Sequence, residues 1–236
     1  MGATGEIPPT PRRRGRPRAV PSTSNGDPRA EILAAAATLI ARTGLSGAST
    51  RLIAREAGLQ QPSVFYYFSS KDAIISELLD QVVEPTLHML ARIQRAKASP
   101  PASLFALTYY DTWNMVCTER NRGLIRVLPD LRRERFPAYW RKVEELYSGY
   151  QAIVAGGQRQ AMFCDGDPVI SAALIGSLVE RAASLAADNP ALATTSLVDE
   201  VVRAAIRTTL VRLSGLRKIE REGHALLGRS GGLSVR

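Results

Sequence analysis

Residues 45–77 read LSGASTRLIAREAGLQQPSVFYYFSSKDAIISE, and this stretch decides the fold. Two short helical segments, 50–57 and 61–67, are separated by the break Ala57-Gly58-Leu59. Ser49 is placed to cap the first of them, because its hydroxyl can accept from a free N–H of the opening turn. Gly58 stands where the chain leaves that helix and needs a backbone conformation costly for other residues. Ile53, Leu59, Val64 and Phe68 are expected to form a small core between the two helices, while Ala54 and Ala57 permit their close approach. Arg51 and Arg55 then face outward. This is the layout of a helix-turn-helix, which sets its second helix in the major groove of duplex DNA. Gln61, Pro62 and Ser63 open that second helix, where side chains reach base edges. The Gln61 amide can pair with adenine in a bidentate way, and the Ser63 hydroxyl is a less selective partner. Tyr66 and Tyr67 can approach sugar-phosphate oxygens. Lys71 starts the next helix, where its charge and the free N–H groups suit a phosphate.

The sequence N-terminal to this unit changes character at residue 27. Residues 1–26 are Pro, Gly, Ser and Arg with almost nothing to bury, so they are expected to be disordered. Asp27-Pro28 is a helix start, and the run 29–42 puts Ile32, Ala36, Leu39 and Ile40 on one face. Thr43-Gly44 ends it. Beyond the motif, 71–95 reads as one long helix with Ile74, Leu78, Val82, Leu87 and Leu90 as buried points, and Pro85 as a place for a bend. Ser99-Pro100-Pro101 marks a boundary. Helical segments are then expected at 102–119, 121–128, 132–157, 168–188 and 196–214, with Ser196 and Asp199 resembling a capping box. No strand-rich region or internal repeat is evident. The class is all-α, with about nine helices in two unequal parts.

A chain of 236 residues with 45% hydrophobic residues has the material for a substantial core. The formal charge of +9 favours a polyanionic partner. Five arginines, Arg12, Arg13, Arg14, Arg16 and Arg18, lie in one short tail. The two cysteines, Cys117 and Cys164, do not describe a disulfide framework and fit the reduced cytoplasm. No membrane span is expected. The most apolar long run, 168–187, is interrupted by Glu180-Arg181.

The pattern Ser49, Ile53, Ala54, Ala57, Gly58, Leu59, Ser63, Val64, Phe65, Phe68, Lys71, Asp72 and Ile74 resembles that of the TetR/AcrR family of bacterial transcriptional regulators. The specific part of the resemblance covers residues 30–78. It implies an N-terminal three-helix helix-turn-helix DNA-binding domain plus a larger C-terminal helical domain for ligand binding and dimerisation. The corresponding boundaries are a tail over 1–26, the DNA-binding domain over 27–76, a connecting helix over 77–96, the effector-binding and dimerisation domain over 97–215, and a basic, flexible tail over 216–236. By resemblance, Thr50, Arg51, Gln61, Ser63, Tyr66, Tyr67 and Lys71 meet the operator. Two positions depart from the pattern. Gln60 replaces the more usual Ser or Thr cap of the recognition helix, and Phe65 replaces a common Tyr, which makes Phe65 a core residue. The segment Arg14-Gly15-Arg16-Pro17-Arg18 resembles an AT-hook. Arg14, Arg16 and Arg18 are the minor-groove candidates, the alternative being a solubilising tail.

For the C-terminal part the resemblance implies a homodimer built on the last two helices, reading an inverted repeat in a double-stranded operator. Ile170, Leu174, Leu178 and Leu185 on 168–188, with Ile206 and Leu210 on 196–214, are the interface candidates. Their alternative is burial within their own domain. Most of the aromatics fall between residues 105 and 147. Phe105, Tyr109, Trp113, Met115, Phe136, Tyr139, Trp140 and Tyr147 are the candidates for a pocket taking a small apolar or aromatic effector, core residues being the alternative. Family members most often repress transcription until effector binds, and an activator of the same fold is the alternative. No cofactor is implied. Enzyme chemistry is the weakest reading. His88 and His224 are far apart, with no Cys or carboxylate at metal-ligand spacing, and no glycine-rich phosphate loop follows a strand. A helical protein-binding scaffold is the other alternative class.

Overall fold

The computed structural model describes residues 27–118, 121, 124–125, 127–211 and 215–228. The tail arginines Arg14, Arg16 and Arg18 lie outside the described residues. Among those described, the chain forms nine α-helices: α1 (Pro28–Gly47), α2 (Thr50–Glu56), α3 (Gln61–Tyr67), α4 (Lys71–Ala96), α5 (Pro100–Cys117), α6 (Pro137–Arg159), α7 (Pro168–Asp188), α8 (Thr195–Thr209) and α9 (Leu216–Gly228). Short 3-10 turns cover Leu128–Asp130 and Pro190–Leu192.

The starts of these helices follow local chemistry. The Asp27 carboxylate accepts from the Arg29 N–H at 2.9 Å, with Pro28 at the first helical position. Ser49 accepts from Leu52, Ser70 from Ala73 and Asp167 from Val169. Helix α8 corrects the expected capping box: Thr194, not Ser196, accepts from Leu197 at 3.4 Å. Helix α1 is interrupted at Gly44, whose φ of 72° ends the regular run at Thr43. Gly58 has φ 66°, the left-handed conformation its position requires. Pro85 lies inside α4.

Helices α1–α3 and the start of α4 enclose one small core. Ile32, Ile40, Ile53, Val64, Ile74 and Leu78 are inaccessible to solvent, Phe68 is nearly so, and Leu59 is half-buried against them. The larger bundle is organised around α5, which packs against α4, α6, α7, α8 and α9. Residues 101–108 are all buried, as expected of a helix apolar around its circumference. One polar network crosses this core. Asn114 donates to the Val82 carbonyl at 2.8 Å, and Asn121 donates to the Asn114 backbone and side-chain oxygens at 2.9 and 3.0 Å.

The C-terminal region differs from expectation. Residues 216–228 are not a flexible tail but helix α9, with Leu216, Ile219, Gly223, Leu226 and Leu227 along the face turned to α5. Its basic residues Arg217, Lys218 and Arg221 lie on the exposed side, so its charge is that of a solvated helix face. At Gly223 the helices meet so closely that a Cβ would stand 2.3 Å from the Phe105 ring. Among the described residues one helix, α7, is long and apolar enough to cross a membrane, and its Ala172, Ile175, Val179, Ala182, Ala183 and Ala186 are buried in the bundle.

Candidate nucleic-acid interface and ligand cavity

Helix α3 presents its N-terminal side chains outward because Val64 and Phe68 anchor its other face. Pro62 is exposed, and Gln61 and Ser63 are half-exposed. The Gln61 amide donates to Thr50 Oγ1 at 3.0 Å, which joins the openings of α2 and α3 and leaves the Gln61 carbonyl oxygen to accept elsewhere. As its sequence implies, Gln60 supplies no side-chain cap to α3. Arg51 is exposed beside Thr50. Tyr66 is 83% exposed and Tyr67 stands against it edge-on, ring centres 5.0 Å apart. Pro28, Leu59, Pro62, Ser63, Tyr66 and Tyr67 line one shallow groove on this face.

Two residues of the motif are placed differently from expectation. Phe65 is 49% exposed, so it belongs to the outer face and not to the core. Val64 and Phe68, four apart, occupy the buried stripe, and a helix of seven residues has no second one. Lys71 turns inward. Its ammonium donates to the carbonyls of Leu45 and Ala48, both at 2.8 Å, where α1 runs into the loop before α2. Carbonyls at a helix end have no intrahelical donor and carry partial negative charge, so they compete directly with a phosphate for this lysine.

The second site is a cleft that opens to solvent and encloses about 70 Å³. Its lining comes from α4 (Val82, Val83), α5 (Asp111, Met115), α6 (Tyr139, Val143, Leu146, Tyr147, Tyr150), α7 (Gly176, Val179, Glu180) and Leu128. Of the eight expected pocket residues, Met115, Tyr139 and Tyr147 line it. Phe105 and Tyr109 do not. They are held against His224 of α9, at ring-centre distances of 5.0 and 5.2 Å. Trp113 packs near Tyr110, Phe136 is buried in the core, and Trp140 donates to the Leu131 carbonyl at 3.2 Å beneath the Arg133 guanidinium.

Reading for aromatics alone missed the two carboxylates. Asp111 accepts from Tyr150 at 3.0 Å and from Thr86 at 3.4 Å. Burial pushes its carboxyl up to about 6; these two hydrogen bonds offset part of the shift and the nearby Glu180 charge adds to it. Tyr139, Tyr147 and Tyr150 are all raised above the ordinary phenol value, first by burial and then by neighbouring carboxylates, so they remain protonated donors.

The wall of this cavity is tied to the DNA-facing unit. Arg135, just before α6, grips Asp72 in the first turn of α4 with two hydrogen bonds of 2.5 and 2.8 Å. That contact holds Asp72 below the usual carboxylate range, with burial opposing. Lys142 of α6 donates to Asp80 and Glu84 of α4, both at 2.7 Å. Arg29 of α1 pairs with Glu77 of α4.

The expected dimer residues divide. Ile170 and Leu174 are 60% and 63% exposed, and Leu178 and Leu185 are half-buried. Ile206 and Leu210 are instead buried inside their own chain, which leaves their side chains little surface to offer a partner. The reason is local. The Leu210 segment pairs with Phe163, Cys164 N–H donating to the Thr209 carbonyl at 2.8 Å and Val211 N–H to the Met162 carbonyl at 3.1 Å. Among the described residues no group of His, Cys, Asp and Glu has metal-site geometry.

Comparison with known proteins places the helix-turn-helix in a family. Residues 32–78 match the profile of "Bacterial regulatory proteins, tetR family". The whole chain is similar to Mycobacterium smegmatis AmtR at 29% identity, covering 93% of this chain and 98% of the other, with a TM-score of 0.74. It shares the fold of the Mycobacterium tuberculosis ketosteroid transcriptional regulator KstR2, at 18% identity over 81% of this chain and 99% of the other, with a TM-score of 0.69. It also shares the fold of SmeT, the repressor of the Stenotrophomonas maltophilia multidrug efflux pump SmeDEF, at 18% identity over 77% and 90% of the two chains, with a TM-score of 0.61. A sequence comparison with curated proteins finds no match.

Proposed function

The chain belongs to the TetR family of bacterial regulatory proteins, which are DNA-binding transcriptional regulators, and from that premise we propose that it is a homodimeric repressor released from a palindromic operator by a small effector. The observation that carries this reading is the mechanical route between the two candidate sites. Helix α6 carries three tyrosines of the cavity wall, and its N-terminal end is pinned through Arg135 to the first turn of α4. That turn follows α3 directly. A ligand that spreads the cavity moves α6, and α6 moves the turn that positions the reading helix. Release is then linkage: effector and operator favour different spacings of two reading heads.

Dimerisation is supported by α7, whose Val169, Ile170 and Leu174 are exposed and have no cover among the described residues. A second copy related by a two-fold axis would bury the same residues on both sides. Thr50, Arg51, Gln61, Pro62, Ser63, Tyr66 and Tyr67 are the proposed DNA contacts, with Phe65 added from its exposure. SmeT, which shares the fold, is a repressor, and that supports the negative sign. A repressor that acts on a bacterial operator works in the cytoplasm, which is the compartment this reading implies.

Selection of bound sequences from random duplex DNA tests the reading. An inverted repeat is expected, with one dimer bound per site. Enrichment of a single unrepeated half-site, or of no sequence at all, would overturn it.

A further inference from the structure

The cavity that the proposed function assigns to the effector carries a charge preference. Asp111 and Glu180 both line it, and none of its described lining residues is Lys, Arg or His. Among the described residues neither carboxylate makes an ion pair. Asp111 is held only by the Tyr150 hydroxyl at 3.0 Å and the Thr86 hydroxyl at 3.4 Å, while Glu180 accepts from Tyr147 at 3.4 Å. A carboxylate has about four lone-pair sites, so Asp111 retains room for another donor. The rest of the wall is apolar or aromatic: Val82, Val83, Met115, Leu146, Val179 and the rings of Tyr139, Tyr147 and Tyr150.

We propose that the effector is an apolar or aromatic monocation, a protonated amine or quaternary ammonium, whose charge lies between Asp111 and Glu180 and whose body rests on the tyrosines and aliphatic wall. This rests on the cavity being the effector site. An enclosed carboxylate without a counter-ion is costly, and a ligand that supplies the counter-ion relieves that cost. Tyrosine faces add attraction for the same charge. A neutral ligand leaves the cost in place. An anion meets two like charges, Asp111 on the inner wall and Glu180 at the exposed mouth.

The charge also sets a pH dependence. The groups facing Asp111 are the Thr86 hydroxyl from α4, Tyr139, Tyr147 and Tyr150 from α6, and Glu180 from α7. The tyrosines stay neutral, so Asp111 is the group that titrates near pH 6. The cation requires its ionised form. Affinity therefore rises with pH from 5 to 7 and levels off above that.

Calorimetric titration of the full-length protein with three probes of similar shape decides the matter: benzyltrimethylammonium, its uncharged isostere neopentylbenzene, and phenylacetate. The cation is expected to bind about tenfold or more tightly than the isostere, with phenylacetate weakest. Asp111→Asn should abolish that preference. Its amide oxygen still accepts from Tyr150 and no charge is left to enclose, so the variant keeps its fold, which circular dichroism checks. Glu180→Gln, at the exposed end, should reduce the preference without touching the core. Equal or tighter binding of the isostere or phenylacetate would overturn the cation assignment while leaving the cavity as the effector site. Retention of the preference in both variants would overturn it as well. No binding by any probe would overturn the reading of the cavity as an effector site, and the cation with it.

Discussion

A lysine at the head of a helix can meet a phosphate, staple the fold, or do both, and the staple is formed at Lys71. Two carbonyls from the end of α1 occupy its ammonium, so Lys71→Ala leaves both without that donor and loosens the helix-turn-helix against α1. Loss of stability is expected on the order of 1–3 kcal/mol, read from urea denaturation. Tyr66→Ala, at a side chain 83% exposed, should leave stability within about 0.5 kcal/mol of the parent while weakening operator binding. Unchanged stability in Lys71→Ala would show that the carbonyls are satisfied without it. The two residues also mark how far single positions could be read from sequence. Gly58 and the caps Asp27 and Ser49 were legible, because their function is met within a few residues of chain. The partners of Lys71 lie 26 and 23 residues away, and no local pattern announces them. Phe65 was misread for a related reason. Hydrophobicity alone does not say which of two neighbouring apolar positions on a short helix faces inward.

At the scale of helices, α9 accounts for much of the difference between the expected and the observed pocket. Helix α9 covers the face of α5 that carries Phe105 and Tyr109, so those rings meet His224 instead of a ligand. In the sequence, the basic residues of 216–228 mask the apolar spacing of Leu216, Ile219 and Leu226. Charge on one face of a helix says nothing against burial of the other. The cavity opened on the opposite flank, between α4, α6 and α7, where sequence offered aromatics but no means of bringing Asp111 and Glu180 together. Coupling belongs to this scale too. Arg135→Ala frees the first turn of α4 from α6, and effector should then release DNA less efficiently while operator affinity without effector stays near the parent value. Fluorescence anisotropy of labelled operator, titrated with effector, reads this. Asp72 supplies an independent check. Its pKa is depressed in the folded state, so its contribution is present at neutral pH and is lost as pH falls below its ordinary value of 3.8. The pair is half exposed, so the stability difference between parent and Arg135→Ala should be at most about 1 kcal/mol at pH 7. It should shrink toward zero as pH falls through that range. A difference that grows on acidification would contradict the ion pair.

At the scale of the whole molecule, helix class and order were legible because Pro, Gly and capping residues punctuate nearly every boundary. The assembly was legible only in part, because a stripe such as Ile206 and Leu210 looks the same whether it faces its own chain or another. Deleting residues 1–24 removes Arg12, Arg13, Arg14, Arg16 and Arg18 and little that is apolar. The deletion should leave the dimer intact and lower DNA affinity, most at low salt, since fewer counterions are then released on binding. A loss larger on A·T-rich flanks than on G·C-rich ones would identify a minor-groove arm. Leu174→Asp tests the assembly itself. In the free protomer that side chain is 63% exposed, so the carboxylate costs the monomer little. In a two-fold pairing across α7 the same substitution enters twice and encloses unpaired charge. Dimer stability should fall on the order of 3 kcal/mol, which raises the dissociation constant roughly a hundredfold. Sedimentation velocity over a concentration series should show the parent as a dimer where the variant is a monomer, with both equally helical. A variant that remains a dimer at the lowest concentrations would move the interface off α7. The operator titration follows from the same geometry. A monomer holds one reading helix, so the variant should bind the full inverted repeat no better than a half-site.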